Sequence, residues 1–144
     1  MGEFEVFDHT ADVGLAVRAG SLEDLLETAA RATFAQMLED RPGDVEAEEA
    51  VTVAVEGGPA EDYEELLVAW LQELLYRFET RRWVPIRFAF EEAGAALVRA
   101  RVGFGLFDPA RHRARAEIKG VTYHELQVHR EADGTWRARV ILDV

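Results

Sequence analysis

Alternating apolar residues in the second half of the chain constrain the fold more than any other feature. Apolar side chains recur at every second position in three runs, 86–90, 98–104 and 136–142. A period of two turns one face of a strand toward a core and the other toward solvent, which is typical of antiparallel sheets. Gly94 separates the first two runs. Leu126 and Val128 lead into Asp133-Gly134, a strong hairpin signal, and the third run follows it. The sequence therefore predicts two β-hairpins here.

Two other segments have the periodicity of amphipathic helices. Ser21 stands at an N-cap position, and apolar residues follow it at helical spacing as far as Leu38. The second segment begins at Asp62, which forms a capping-box-like start with Glu65, and its apolar stripe extends to Phe78. Because this stripe is wide, the helix must pack against a sheet or against another helix.

Shorter alternating runs predict three further strands, at residues 3–7, 13–18 and 51–55. Together these elements predict an α+β fold with two amphipathic helices packed on a mostly antiparallel β-sheet. A chain of 144 residues can bury an ordinary core, so we expect a single compact domain over residues 1–144. Gly103 to Arg115 is predicted to be a long functional or mobile loop.

Composition excludes several classes of function. The 28 acidic and 16 basic residues give a net charge of −12, which repels phosphate backbones and disfavours direct nucleic-acid binding. The absence of cysteine excludes thiol nucleophiles, iron–sulfur sites and disulfides. The only serine, Ser21, is explained as a helix cap, so we do not expect a serine hydrolase.

With no leader and no apolar run of the roughly 20 residues that span a bilayer, we expect a cytoplasmic protein without a membrane segment.

The run Asp8-His9-Thr10-Ala11-Asp12 is the strongest candidate for chemistry. One interpretation is a polar turn in which Asp8 and Thr10 hydrogen-bond to nearby backbone amides. The other is a metal site, because two carboxylates four residues apart on a turn can converge on one ion. Oxygen ligands favour Ca²⁺ or Mg²⁺, whereas a mixed set with His9 leaves Zn²⁺ or Mn²⁺ open.

The last two residues of the sequence, Asp143 and Val144, are further candidates for oxygen ligands of a metal ion. The last apolar strand runs to Asp143 and Val144, so we expect the terminus to be held in the sheet rather than frayed. Two negative charges held together, on Asp143 and on the α-carboxylate of Val144, are unfavourable unless a cation or a basic group lies between them. The alternative is an ordinary surface aspartate that protects a strand edge.

Four motifs together resemble the archease family. The resemblance covers essentially the full length of the chain. In the order of the family, the motifs are Asp8-His9-Thr10-Ala11-Asp12-Val13-Gly14, Leu66-Leu67-Val68-Ala69-Trp70-Leu71-Gln72-Glu73-Leu74-Leu75-Tyr76, Glu117-Ile118-Lys119-Gly120-Val121-Thr122-Tyr123-His124 and Val140-Ile141-Leu142-Asp143-Val144. The chain departs from the pattern at Gly120, where a small residue such as alanine is expected.

The resemblance implies a small α/β protein that is not itself an enzyme. It implies activation of the RtcB-type RNA ligase in tRNA splicing, a step of tRNA processing, by promoting guanylylation and multiple turnover of the ligase and broadening its nucleotide use. A divalent cation, most often calcium, is implied at Asp12, Asp143 and Val144, with Asp8 and His9 only as neighbours. The implied partner is the ligase, and no small-molecule substrate of its own is expected.

Two other functions stay open. One is a chaperone or modulator of nucleic-acid-modifying enzymes such as methyltransferases, in which the ion is structural. The other is a metal-assisted hydrolase that uses Asp8, His9, Asp12 and Asp143, which no activated nucleophile or phosphate-binding loop supports.

Residues outside these motifs receive simpler predictions. The only lysine, Lys119, is expected to form a surface ion pair, and His124 to be a partly buried, hydrogen-bonded strand residue. Trp70, Phe78 and Trp136 are predicted to lie in the core. The alternating arginines Arg111, Arg113 and Arg115 suit either a basic strip that faces a partner or a solvated strand face.

Overall fold

The computed structural model describes residues 2–9, 12–56 and 63–144, with Asp8 and His9 described by their backbone only. Over these ranges the chain forms seven strands and two helices. In chain order they are β1 (Glu3–His9), β2 (Asp12–Ala19), α1 (Leu22–Met37), β3 (Ala47–Ala54), α2 (Tyr63–Arg81), β4 (Trp83–Ala93), β5 (Leu97–Leu106), β6 (Gly120–Arg130) and β7 (Trp136–Asp143). The predicted α+β class is confirmed.

The described strands form two antiparallel sheets. One has four strands in the order β1-β2-β7-β6, and the other has three in the order β3-β5-β4. Helix α1 contacts β2 of the first sheet and β4 of the second, while α2 contacts β6 of the first sheet and β3 and β4 of the second. One hydrophobic cluster includes residues of both sheets and both helices. The antiparallel pairing is therefore as predicted, but the strands are divided between two sheets.

Helix α1 begins where the sequence predicts. The Asp24 N–H donates to the Ser21 Oγ at 3.1 Å, so the side chain of Ser21 satisfies one of the free amides at the helix start. The helix ends at Met37, and Leu38 is already extended. Apolar residues at helical spacing, including Leu25, Leu26 and Phe34, are buried against the sheets.

Trp70 joins the two helices and the second sheet. Its side chain is fully buried, and its Nε1–H donates to the carbonyl oxygen of Leu26 in α1 at 2.9 Å. Its ring lies against Phe88 and Phe90 of β4, with centroid distances of 6.1 and 5.6 Å. The predicted core positions of Trp70, Phe78 and Trp136 are confirmed, since none of them is more than 8% exposed.

Both predicted hairpins are present. Strands β4 and β5 pair on either side of Gly94, whose N–H donates to Leu97 O at 2.9 Å. Strands β6 and β7 meet at Asp133-Gly134, where Gly134 has a φ of +92°. Glycine adopts this positive φ at little cost, which explains the residue at this turn.

Several strands are longer than the sequence predicts, and β4 and β3 are extended most clearly at their starts. Strand β4 begins at Trp83 and passes through Pro85, with an irregularity in its pairing between Pro85 and Arg87. A proline is accommodated in a strand at an edge or at such an irregularity, and β4 is an edge strand of its sheet. Strand β3 begins at Ala47, well before the alternation of Val51 and Val53.

The prediction of a loop from Gly103 to Arg115 is wrong at its start. Residues 103–106 belong to β5, and both glycines there are buried. A Cβ on Gly105 would lie 2.6 Å from Ile86 Cδ1 and 2.8 Å from the backbone oxygen of Asp44, so close backbone approach requires glycine. Irregular chain follows from Phe107, interrupted by a bridge between Ala114 and Leu38.

Two predicted features lie outside the described residues. These are the start of the second helix at Asp62 and the turn at residues 57–59 that ends the third strand. None of the described helices is both long and apolar enough to cross a membrane.

Candidate functional site

Asp12 is placed by the hairpin of β1 and β2. It is the first residue of β2 and pairs with His9, and residues 10 and 11 between them lie outside the described part. Two residues later, Gly14 pairs with Phe7, and a Cβ on Gly14 would lie 2.2 Å from ring atoms of Phe7. The glycine of this motif therefore lets the Phe7 ring cover β2 next to Asp12.

Asp143 is brought to Asp12 by the pairing of β2 with β7. The register joins Val13 to Leu142 and Leu15 to Val140, so the same register one step further puts Asp12 opposite Asp143. Residues directly opposite each other in an antiparallel pair project from the same face, with Cβ atoms about 4.5–5.5 Å apart. The ladder therefore brings both carboxylates to one face at one end of the sheet.

That face is the outer one. Leu15 and Val140 are completely buried, so the alternation along both strands turns Asp12 and Asp143 away from the core. Asp12 is half-buried and Asp143 is exposed. Two like charges directly opposite each other destabilise a sheet, and a cation between them removes that cost.

Asp143 is also held from its other side. Gly120 of β6 pairs with Asp143, and the Lys119 N–H donates to Asp143 O at 2.7 Å. A Cβ on Gly120 would meet nothing within 4 Å, so the alanine expected from the resemblance would also fit. The departure at Gly120 therefore leaves the geometry around Asp143 unchanged.

Val144 keeps the end of β7 in place. Its side chain is half-buried and packs against the hydrophobic core. This agrees with the expectation that the last strand is held in the sheet. We call Asp12, Asp143 and Val144 the acidic tip.

The donor chemistry of the acidic tip suits a hard cation, because its groups are carboxylate and main-chain oxygens. Within the described ranges, no group of three or more His, Asp or Glu side chains converges as a metal site would require. The side chains of Asp8 and His9 are outside that description. Ligation of a metal by Asp12, Asp143 and Val144 therefore stays a prediction.

Lys119 lies beside the acidic tip, because its N–H donates to Asp143 O. The sequence alone did not predict that these two residues are neighbours. Its side chain is exposed, and no carboxylate of the described chain forms an ion pair with it, so the predicted surface ion pair is absent there. The signal available in the sequence was its place directly before Gly120 in the third motif. The pairing of β6 with β7 was needed to show that it adjoins Asp143.

A large bulge in β6 overturns the prediction for His124. The pairing register with β7 shifts between Thr122 and Gln127, and Glu125 within the bulge has a φ of +55°. The His124 side chain is 64% exposed, with its Nε2 3.3 Å from a carboxylate oxygen of Glu125. His124 is therefore a surface residue, because the bulge lifts it out of the strand alternation on which its predicted burial depended.

The alternating arginines of the irregular segment do not share one environment. The Arg113 Nε donates to a carboxylate oxygen of Asp40 at 3.1 Å, and the Arg113 N–H donates to the same oxygen at 2.9 Å. This hydrogen bonding, followed by the guanidinium charge, lowers the pKa of Asp40 below its ordinary value. Arg115 lines a cavity described below, so neither a continuous basic strip nor a regular strand face is formed.

These features define a small α+β protein in which the start of β2 and the end of β7 form an acidic tip. The Archease protein family matches residues 4–144 of the chain. The chain belongs to the archease family.

Curated relatives and a solved structure agree with this membership. Protein archease of Pyrococcus furiosus is 32% identical over 147 residues, and the match covers 100% of each chain. Protein archease of Methanopyrus kandleri is 38% identical over 144 residues, covering 98% of this chain and 99% of its own. The solution structure of protein 1598 of Methanobacterium thermoautotrophicum superposes with a TM-score of 0.74 at 32% identity, covering 98% of both chains.

Proposed function

We propose that this protein is a non-enzymatic accessory protein that activates an RtcB-type tRNA-splicing ligase by promoting its guanylylation and multiple turnover. Membership of the archease family supports this proposal. The observation that carries it is the register of β2 with β7, which pairs Val13 with Leu142 and, continued by one residue, brings Asp12 opposite Asp143 at one end of the sheet. A partner can reach carboxylates at such a position.

The acidic tip would hold a divalent cation, most readily calcium. The carboxylates of Asp12 and Asp143 and an oxygen of Val144 supply part of the roughly six to eight oxygen ligands that calcium takes. Water and groups of the ligase would complete the shell. When bound, the ion supplies positive charge that offsets the repulsion between the two carboxylates.

The fold of the chain positions the oxygen ligands of the acidic tip. The β6 ladder pairs Gly120 with Asp143, the β2 ladder pairs Val13 with the neighbouring Leu142, and Val144 packs against the core beyond them. Preorganised charge near a nucleotidyl-transfer site stabilises the charge that develops in the transition state. We therefore assign to the acidic tip the ordering of ligase groups around the reacting phosphate, with the RNA contacted through the ligase.

A ligation assay tests this proposal. Purified RtcB-type ligase should join many RNA ends per molecule when this protein is present at substoichiometric amounts, and Asp12→Ala should abolish the stimulation. Asp44→Ala is the matched control, since Asp44 is an exposed carboxylate in the segment before β3 and its side chain has no ion pair or hydrogen bond among the described residues.

Two results would contradict the proposal. One is full stimulation by Asp12→Ala, which would show that the acidic tip is not used. The other is phosphatase or nuclease turnover by the purified protein alone that is lost in Asp12→Ala, which would support the hydrolase alternative.

A further inference from the structure

A cavity of about 580 Å³ lies where the carboxyl ends of both helices meet the irregular segment after β5. Its size falls within the roughly 300–1,000 Å³ typical of small-molecule sites. The acidic tip is not among its lining residues, although Lys119 at its rim is bonded through its N–H to Asp143. The cavity is therefore a separate feature of the same end of the molecule.

The floor of the cavity is apolar. Phe78 of α2 and Phe107 of the irregular segment meet edge to face, with their ring centroids 5.8 Å apart. The other buried apolar lining residues are Met37, Leu38, Leu75 and Ile118. Each of these six side chains is at most 8% exposed, so the floor is rigidly packed rather than assembled from mobile surface groups.

The rim carries cations without carboxylate partners. Ten of the 16 cationic side chains of the protein form ion pairs within 4.0 Å in the described structure. The other six are Arg41, Arg82, Arg111, Arg115, Arg130 and Lys119. Three of these six, Arg82, Arg115 and Lys119, line this one cavity, against two carboxylates, Glu79 and Glu117. Unpaired cations gathered at one apolar cavity of an acidic protein indicate an anionic partner.

The backbone at Arg82 fixes where its guanidinium lies at the cavity. Arg82 follows the last residue of α2 with a φ of +60°, a conformation that glycine adopts at lower cost. Its N–H donates to Phe78 O and its carbonyl accepts from the Phe107 N–H, both at 2.8 Å. Its guanidinium lies 5.4 Å from the Phe78 ring centroid, which places the charge over the floor of the cavity. The positive φ of Arg82 and its two backbone hydrogen bonds hold the guanidinium at this position beside the apolar floor.

We infer that this cavity binds a small amphipathic anion, a carboxylate or phosphate ester with an apolar chain or ring. The apolar part would lie on Phe78 and Phe107, and the anionic group would accept hydrogen bonds from Arg82, Arg115 and Lys119. The ligand is bound and not turned over. This inference does not depend on activation of the ligase.

Chemically matched probes test the inference. In amide NMR titrations, octyl phosphate and octanoate should each bind saturably, and the shifts should concentrate at Arg82, Phe107 and Ile118. Octanol lacks the charge and octylammonium reverses it, and both should bind at least about tenfold more weakly, since each charge-assisted hydrogen bond strengthens binding by about that factor. Equal shifts with octylammonium, or shifts elsewhere on the molecule, would overturn the inference.

A pair of charge reversals separates a site from a general charge effect. Arg111 and Arg115 lie on the same irregular segment, are both exposed and have no ion pair in the part of the chain described, but only Arg115 lines the cavity. Arg115→Glu should weaken octyl phosphate binding at least about tenfold, while Arg111→Glu should change it by less than about twofold. Equal weakening by both variants would contradict a built site. Binding of an acidic, apolar peptide with no binding of octyl phosphate would also overturn the inference in favour of a protein partner.

Discussion

Gly14 is the residue on which the position of Asp12 depends most directly. Because a Cβ there would lie 2.2 Å from the ring of Phe7, we expect Gly14→Ala to force the ring aside and to lower the free energy of unfolding by about 1–3 kcal/mol. Urea denaturation measures this. Gly120→Ala is the control, since its Cβ would meet nothing within 4 Å. Equal midpoints for the two variants would show that Phe7 does not pack on β2 as described.

Asp40 and Arg113 join the end of α1 to the irregular segment. Because Arg113 lowers the pKa of Asp40 in the folded protein, this pair stabilises the fold above the ordinary aspartate pKa of about 3.9. The stabilisation is lost as pH falls through the lower pKa of the folded state. In a carboxyl NMR titration, Arg113→Gln should raise the pKa of Asp40 toward its ordinary value. An unchanged titration would mean that another group sets it.

The Ser21 cap at the start of α1 contributes to the stability of that helix. Ser21→Ala removes the oxygen that accepts from the Asp24 N–H, and we expect the free energy of unfolding to fall by about 1 kcal/mol. Ser21→Asp keeps an acceptor and should unfold near the wild-type urea concentration. If Ser21→Ala and Ser21→Asp are equally destabilised, the cap does not stabilise the helix.

Local chemistry made several elements predictable from the sequence. Ser21 caps α1, Asp133-Gly134 turns the chain between β6 and β7, and the alternation of apolar residues marks β5 and β7. Tertiary pairing determined the elements that were missed. Strand β4 extends through Pro85 because β5 pairs with it there, and β6 bulges so that His124 leaves the alternation. Short-range periodicity carries no information about such pairing.

At the scale of the whole molecule, the candidate site was predictable only in part. The sequence indicated Asp12 and Asp143 as separate candidates for metal ligands. The resemblance to the archease family implied that both belong to one metal site. Their opposition across β2 and β7 depends on a register between the two ends of the chain. Lys119 and the cavity beside it depend on contacts among distant segments, so the sequence pattern could not indicate them.

Calcium titration by calorimetry tests the central claim most directly, which is that Asp12 and Asp143 form one cation site. The account predicts saturable calcium binding by the wild-type protein, weakened at least about tenfold in Asp143→Asn, which removes a charged ligand, and unchanged in Asp44→Asn. Calcium affinity that is the same in Asp143→Asn as in the wild type would contradict the account.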